Sequence, residues 1–130
     1  MQTQEKAKSI CPTTTQKWLA KGALLVDVRE ADEAAAVSFD VPAQLHIPIS
    51  AFETRWEEIP RDREVVLACK SGGRSLRATY FLLNQGYDRQ RVVNMQSGIV
   101  RWAQKGFPIQ GDAQALLSGE GDCCSTPGCC

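Results

Sequence analysis

The sequence lacks both a net charge and any long apolar run. Its 130 residues include 15 basic and 15 acidic side chains. Binding to nucleic acid depends on a surplus of Lys and Arg that contact phosphates, so this balance argues against a nucleic-acid partner. No segment approaches the roughly 20 consecutive apolar residues that cross a bilayer, and the polar residues 1–9 are unlike a signal peptide. We therefore expect a cytoplasmic protein without a membrane partner.

Cysteine is also scarce in the body of the chain. Six cysteines in 130 residues are fewer than the ~8–10% found in secreted disulfide scaffolds. Only Cys11 and Cys69 precede the last eight residues, which hold Cys123, Cys124, Cys129 and Cys130. This distribution predicts one cytosolic domain at residues 1–110, a flexible linker at 111–122 and a cysteine-rich tail at 123–130.

Short apolar segments rich in β-branched residues alternate with segments of helical periodicity. The predicted strands lie at 24–28, 65–69 and 92–95, with weaker ones at 45–47 and 9–11. The predicted helices lie at 13–21, 75–85 and 99–105, and a further helix begins at Ser50, with Glu53 completing a capping box, and ends at Pro60. This alternation predicts an α/β fold with a mostly parallel sheet.

The segment that carries chemistry follows the strand at 65–69. Cys69 is followed by Lys70, Ser71, Gly72, Gly73, Arg74 and Ser75, and a helix begins there. The two glycines permit a tight turn in which several amides point at one spot, and the helix N-terminus favours negative charge there. We expect Arg74 to add a positive charge, Lys70 to lie at the rim and Ser75 to be the N-cap. The loop is therefore predicted to bind an anion.

The same environment favours the thiolate form of Cys69 and predicts a nucleophile. The alternative is that Cys69 ends the strand as a small buried apolar side chain and that the loop is an ordinary turn. Asp27 and Arg29, which follow a buried strand, are either supporting residues of the site or a structural charged pair.

Three motifs resemble the rhodanese family of single-domain sulfurtransferases. The loop from Cys69 to Ser75 resembles the family's active-site loop, in which four residues separate Cys from Arg. Leu25–Glu30 is similar to its first-strand motif, and Ser97–Trp102 with the following Gly106 and Pro108 is similar to its C-terminal motif. The chain departs from the family pattern at Asp40, where the family has His, and at Ser97, where it has Gly.

The resemblance implies a doubly wound, five-stranded, mostly parallel sheet with helices on both faces. It also implies transfer of a sulfane sulfur through a persulfide on Cys69, from thiosulfate or a persulfide donor to cyanide or a thiol. The expected partners are a small anionic sulfur donor and a thiol or protein acceptor. The expected protein is a monomer that requires no cofactor and no metal in its catalytic site.

Two other functions are open to the sequence. One is a non-catalytic module that binds sulfur or a thiophilic metal or metalloid. The other is a cysteine-dependent phosphatase or arsenate reductase, whose loops have five residues between Cys and Arg, one more than separate Cys69 from Arg74. A shorter loop forms a narrower site, which suits a sulfur atom better than a tetrahedral phosphate.

The tail places two Cys-Cys pairs on either side of a turn at Pro127-Gly128. Four neighbouring thiols suit a soft ion such as Cu(I), Zn(II) or As(III). They are equally suited to accept sulfur from Cys69 or to form disulfides, and a tail without a specific function is a further alternative. If the tail relays sulfur, deleting the residues after Gly121 changes the kinetics with thiol acceptors and leaves persulfide formation intact.

Overall fold

A central sheet of five parallel strands organises the chain. The computed structural model describes residues 7–111. The sheet contains β1 (Lys8–Ile10), β2 (Leu24–Asp27), β4 (Gln44–His46), β5 (Val65–Ala68) and β6 (Val92–Met95). Their order across the sheet is β1-β6-β5-β2-β4, and every neighbouring pair is parallel. The predicted α/β class and the five-stranded parallel sheet are confirmed.

The middle strands are apolar throughout because both faces of the sheet are covered. All four residues of β2 and of β5 are buried. Successive residues of a strand point to opposite faces, so Leu67 packs in one apolar cluster and Val66 in the other. Cys69, directly after β5, belongs to the cluster that contains Leu67.

Residues 7–111 form five α-helices, and four of them pack on the two faces of the sheet. The five helices are α1 (Pro12–Ala20), α2 (Ala31–Ala36), α3 (Phe52–Arg55), α4 (Gly73–Asn84) and α5 (Gly98–Gln104). Phe52 of α3 and Leu82 of α4 pack in the cluster on one face, whereas Trp18 of α1 and Trp102 of α5 pack in the cluster on the other. Helices on both faces of a parallel sheet confirm the doubly wound arrangement.

The predicted helix from Ser50 to Pro60 corresponds to a helical segment, but it is not one continuous α-helix. The structure has a four-residue α3 between two 3-10 turns, Ile49–Ala51 and Trp56–Glu58. The Ser50 hydroxyl does not form a capping box with Glu53; it donates to the Glu30 carboxylate at 2.9 Å. A capping box is instead present at the start of α2, between Glu30 and Glu33.

A second, two-stranded antiparallel sheet joins β3 (Val37–Phe39) to β7 (Ile109–Gly111). The strand β7 includes Gly111, where the sequence analysis begins the linker. Gly111 has a φ of +105°, and a Cβ there would lie 2.3 Å from the Ala36 carbonyl oxygen, so only glycine fits. The rest of the linker and the cysteine-rich tail lie outside the described residues. Within residues 7–111, no helix has the length and apolar character needed to cross a membrane.

Candidate active site

The loop that carries Cys69 lies at the carboxyl end of β5 and leads directly into α4. Cys69 is 1% exposed. Gly72 is the N-cap of α4 with a φ of +105°, a conformation that favours glycine. Gly73 is already helical, so only the first of the two glycines supplies the unusual backbone. The prediction that Ser75 is the N-cap is wrong, because α4 begins at Gly73 and includes Ser75.

Several donors from the same short segment surround the sulfur of Cys69. The Gly72 N–H donates to Sγ at 3.0 Å, and the Ser75 hydroxyl lies 3.5 Å from Sγ. Burial raises the pKa of the Cys69 thiol, but hydrogen bonds from the Ser75 hydroxyl and from the amides of Ser75, Gly72 and Ser71 outweigh it. The net pKa is lower than that of a free thiol. The site therefore favours the thiolate.

A buried polar network lies behind the sulfur. The Ser75 hydroxyl is hydrogen-bonded to Oδ1 of Asn94, and Nδ2 of Asn94 donates to the Ser9 hydroxyl at 3.2 Å. Asn94 is 3% exposed and lies in β6, beside the strand that leads to Cys69. The sequence analysis missed Asn94 as a site residue. The one hint in the sequence was that Asn94 places a polar amide within the otherwise apolar segment 92–95.

The start of α5 supports the loop from the other side. The Ile99 N–H donates to the Cys69 carbonyl at 2.9 Å, and the Val100 N–H donates to the Lys70 carbonyl at 3.3 Å. Gly98 has a φ of +55°, and a Cβ there would lie 2.4 Å from both carbonyl oxygens. Because Gly98 has no side chain, the start of α5 can approach the loop closely enough to hydrogen-bond its carbonyls.

Arg74 has a partner that the sequence did not predict. Its guanidinium forms a bidentate ion pair with the Glu33 carboxylate, at 2.7 and 3.0 Å. The hydrogen bond from Arg74 lowers the pKa of Glu33 to about 2. Arg74 therefore ties the loop to α2, and its interactions with Glu33 and with the charge of Cys69 raise the pKa of its guanidinium. Lys70, by contrast, is exposed, as expected of a residue at the rim.

Asp27 and Arg29 form a charged pair that is buried within the fold. Their side chains are 2% and 1% exposed and meet at 2.8 Å. Arg29 also donates to the Val37 carbonyl at 2.8 Å, which ties β2 to β3. The side-chain hydrogen bonds of this pair go to each other and to backbone near α2, not to Cys69. Of the two alternatives for this pair, the contacts favour a structural role.

The other described cysteine does not belong to this loop. Cys11 is 5% exposed and is the N-cap residue of α1. The predicted tail site of Cys123, Cys124, Cys129 and Cys130 lies outside the described residues. Between residues 7 and 111, no group of three or more His, Cys, Asp or Glu side chains is arranged to hold a metal ion.

These features define a class of protein: a doubly wound α/β domain with a hydrogen-bonded cysteine in a strand-to-helix loop. The model of the Rhodanese-like domain family matches residues 12–105, which is more than half of the chain. The chain belongs to this family, and the resemblance seen in its three motifs is confirmed.

Individual relatives agree with that assignment. The chain is 44% identical over 86 residues to a protein named Sulfurtransferase from Allochromatium vinosum, which covers 66% of this chain and 77% of that one. It is 30% identical over 118 residues to Thiosulfate sulfurtransferase 18 of Arabidopsis thaliana, covering 81% and 85%. The crystal structure of a rhodanese-related protein from Thermoplasma volcanium has a TM-score of 0.70 at 28% identity, covering 81% and 99%. The similarities support sulfur transfer as the general activity.

Proposed function

We propose that the protein transfers a sulfane sulfur through a persulfide on Cys69. The Cys69 thiolate attacks the outer sulfur of thiosulfate, a new S–S bond forms, and the S–S bond of thiosulfate breaks. Sulfite leaves with the electron pair, and Cys69 retains an anionic persulfide. The observation that carries this proposal is the 3.0 Å hydrogen bond from the Gly72 N–H to the sulfur of Cys69, because it stabilises negative charge at that position.

In the second half of the reaction an acceptor takes the outer sulfur. Cyanide attacks it and leaves as thiocyanate, or a thiol attacks it and becomes a persulfide. The electron pair of the broken S–S bond returns to Cys69, which becomes a thiolate again. The lowered pKa of Cys69 makes it a good leaving group in this step. Two half-reactions through a covalent intermediate give ping-pong kinetics.

The geometry suits sulfur better than phosphate. A phosphatase of this type needs a free guanidinium to bind the phosphate oxygens, whereas Arg74 is committed to Glu33 on both of its terminal nitrogens. The donors near the sulfur are backbone amides and the Ser75 hydroxyl. They suit a single sulfur anion, which does not require a guanidinium.

Mass spectrometry of the whole chain tests the proposal. After incubation with thiosulfate and removal of excess reagent, the protein should carry one added sulfur, and peptide mapping should place it on Cys69. Cys69→Ser should carry none at this position and should form no thiocyanate from cyanide. Added sulfur confined to other cysteines, or full thiocyanate formation by Cys69→Ser, would contradict the proposal.

A further inference from the structure

A cavity of about 400 Å³ opens between α3 and α4, a volume within the range of small-molecule sites. Its apolar wall includes Phe52 and Phe81, whose rings pack edge to face with centroids 5.6 Å apart. Its polar lining includes Ser50, Glu53 and Arg77. The cavity is therefore a mixed surface, with a rigid aromatic wall and charged side chains at its edge.

The cavity lies on the same face of the sheet as the Cys69 loop. Ala78 and Phe52 line it and pack in the same buried cluster as Cys69. Along α4, Ala78 lies three residues after Ser75, and residues at this spacing share a helix face. The helix that forms one wall of the cavity is therefore the helix into which the Cys69 loop leads.

Two opposite charges face the same cavity without meeting. Glu53 lies on α3 and Arg77 on α4, and both are exposed. Within residues 7–111, neither side chain forms a hydrogen bond or an ion pair, with the other or with a third residue. An unpaired carboxylate opposite an unpaired guanidinium is complementary to a ligand that carries both an ammonium and a carboxylate group.

We propose that this cavity binds a thiol acceptor that carries an amino-acid group, with its ammonium at Glu53 and its carboxylate at Arg77. The inference rests on the proposed function, because the bound thiol must attack the persulfide of Cys69. The thiol sulfur forms a bond to the outer sulfur, and the bond between the two persulfide sulfurs breaks. Cys69 leaves as the thiolate, and the thiol proton passes to the product persulfide.

Four acceptors distinguish the proposed contact at Glu53 from the proposed contact at Arg77. Cysteine has both groups, cysteamine has only the ammonium, 3-mercaptopropionate has only the carboxylate, and cyanide has neither. In Arg77→Gln, KM should rise about fivefold to tenfold for cysteine and 3-mercaptopropionate and stay unchanged for cysteamine and cyanide. In Glu53→Gln, KM should rise by a similar factor for cysteine and cysteamine only.

Matched control residues lie at the opposite ends of the strands. Glu64 and Arg91 are exposed and precede β5 and β6, so they lie at the amino ends of strands whose carboxyl ends point toward the site. Glu64→Gln and Arg91→Gln should leave KM for all four acceptors unchanged. A uniform rise of KM for every acceptor in Arg77→Gln or Glu53→Gln, or no rise at all, would overturn the inference.

Two further measurements separate this inference from the proposed function. Persulfide formation from thiosulfate and thiocyanate formation from cyanide test the proposed function alone, and both should be unchanged in the control variants Glu64→Gln and Arg91→Gln. Binding of S-methylcysteine, which cannot accept sulfur, tests the cavity alone. In an NMR titration it should shift the amides around Ala78 in the wild type, and Arg77→Gln should weaken this binding. The absence of such shifts in the wild type would overturn the inference even if sulfur transfer is intact.

Discussion

The guanidinium of Arg74 holds the carboxylate of Glu33 through two hydrogen bonds of 2.7 and 3.0 Å. This pair joins the first turn of α4, which follows the Cys69 loop, to α2 across a sequence separation of 41 residues. Both side chains are a little less than one-third exposed, so water screens the pair only in part. The pair therefore anchors the helix that follows the loop to α2.

We predict that this pair makes stability depend on pH in the acid range. The pKa of Glu33 is about 2 in the folded protein against an ordinary value of 4.5, so the unfolded chain binds this proton more tightly. The stabilisation is complete above about pH 4.5 and is lost as the pH falls toward about 2. Urea unfolding at a series of pH values should show a smaller acid-induced loss in Glu33→Gln than in the wild type.

The size of this effect is modest because the pair is partly exposed, and we expect a difference of about 1 kcal/mol. Glutamine keeps an oxygen that can accept the Glu30 N–H, which donates to Glu33 at 2.9 Å, so the start of α2 is retained. Glu64→Gln is the control. An identical pH dependence in the wild type and Glu33→Gln would show that the pair does not stabilise the fold.

Replacing Gly98 or Gly72 by alanine should disturb the Cys69 loop. At Gly98 a Cβ would lie 2.4 Å from the carbonyl oxygens of Cys69 and Lys70, so Gly98→Ala must displace the loop. Gly72→Ala places a side chain at a φ of +105° and 3.1 Å from the Ser97 nitrogen. We expect each to lower the free energy of unfolding by about 1–3 kcal/mol and to slow persulfide formation on Cys69 by at least about tenfold.

Gly73→Ala is the matched control for these two variants. A Cβ at Gly73 meets nothing within 4 Å, and the residue is already helical. Alanine there should leave stability unchanged or raise it by up to about 1 kcal/mol. Equal losses of activity in Gly73→Ala and Gly98→Ala would mean that close approach of α5 is not what shapes the loop.

The features that were predictable from sequence are those with a local cause. The continuous apolar segment before Cys69 predicted a buried strand, and the glycines after it predicted a tight turn into a helix. The structure confirms β5, the turn and α4, and only the N-cap moves from Ser75 to Gly72. Backbone preferences and burial act within a few residues, so one segment of sequence contains them.

The contacts that complete the site arise between distant segments, and the sequence did not reveal them. No local pattern links Glu33 to Arg74, which follows it by 41 residues. Asn94 has no local pattern that links it to Ser75, 19 residues earlier. The pairing of β3 with β7 likewise depends on tertiary packing. In each case a side chain or an edge strand finds its partner only after the sheet has formed.

The buried pair of Asp27 and Arg29 should matter for stability more than for chemistry. Asp27→Ala leaves the Arg29 guanidinium, which is 1% exposed, without its carboxylate partner. We expect the free energy of unfolding to fall by about 3–5 kcal/mol. Urea unfolding measures this loss. Arg55→Ala, which removes an exposed ion pair with Glu58, is the control and should lower the free energy of unfolding much less than Asp27→Ala does.

A double variant tests whether the loss of stability comes from an unpaired buried charge and whether the pair also affects Cys69. The double variant Asp27→Asn, Arg29→Met leaves no unpaired charge. It should therefore lower the free energy of unfolding less than Asp27→Ala does. Its folded fraction should still form a persulfide on Cys69, because the side-chain hydrogen bonds of the pair go to each other and to the carbonyls of Glu33 and Val37. Loss of persulfide formation in a folded double variant would assign this pair a role in the site.

The hydroxyl of Ser75 should control how readily Cys69 ionises. It lies 3.5 Å from the sulfur and is one of the contacts that lower the pKa of the Cys69 thiol. Ser75→Ala removes it while the amides remain, so alkylation by iodoacetamide near neutral pH should slow by about threefold to tenfold and its pH profile should move to higher pH. Ser71→Ala keeps its amide and is the control, since its exposed side chain is not among these contacts. If the two variants are alkylated at the same rate across the pH range, the backbone amides alone set the ionisation of Cys69.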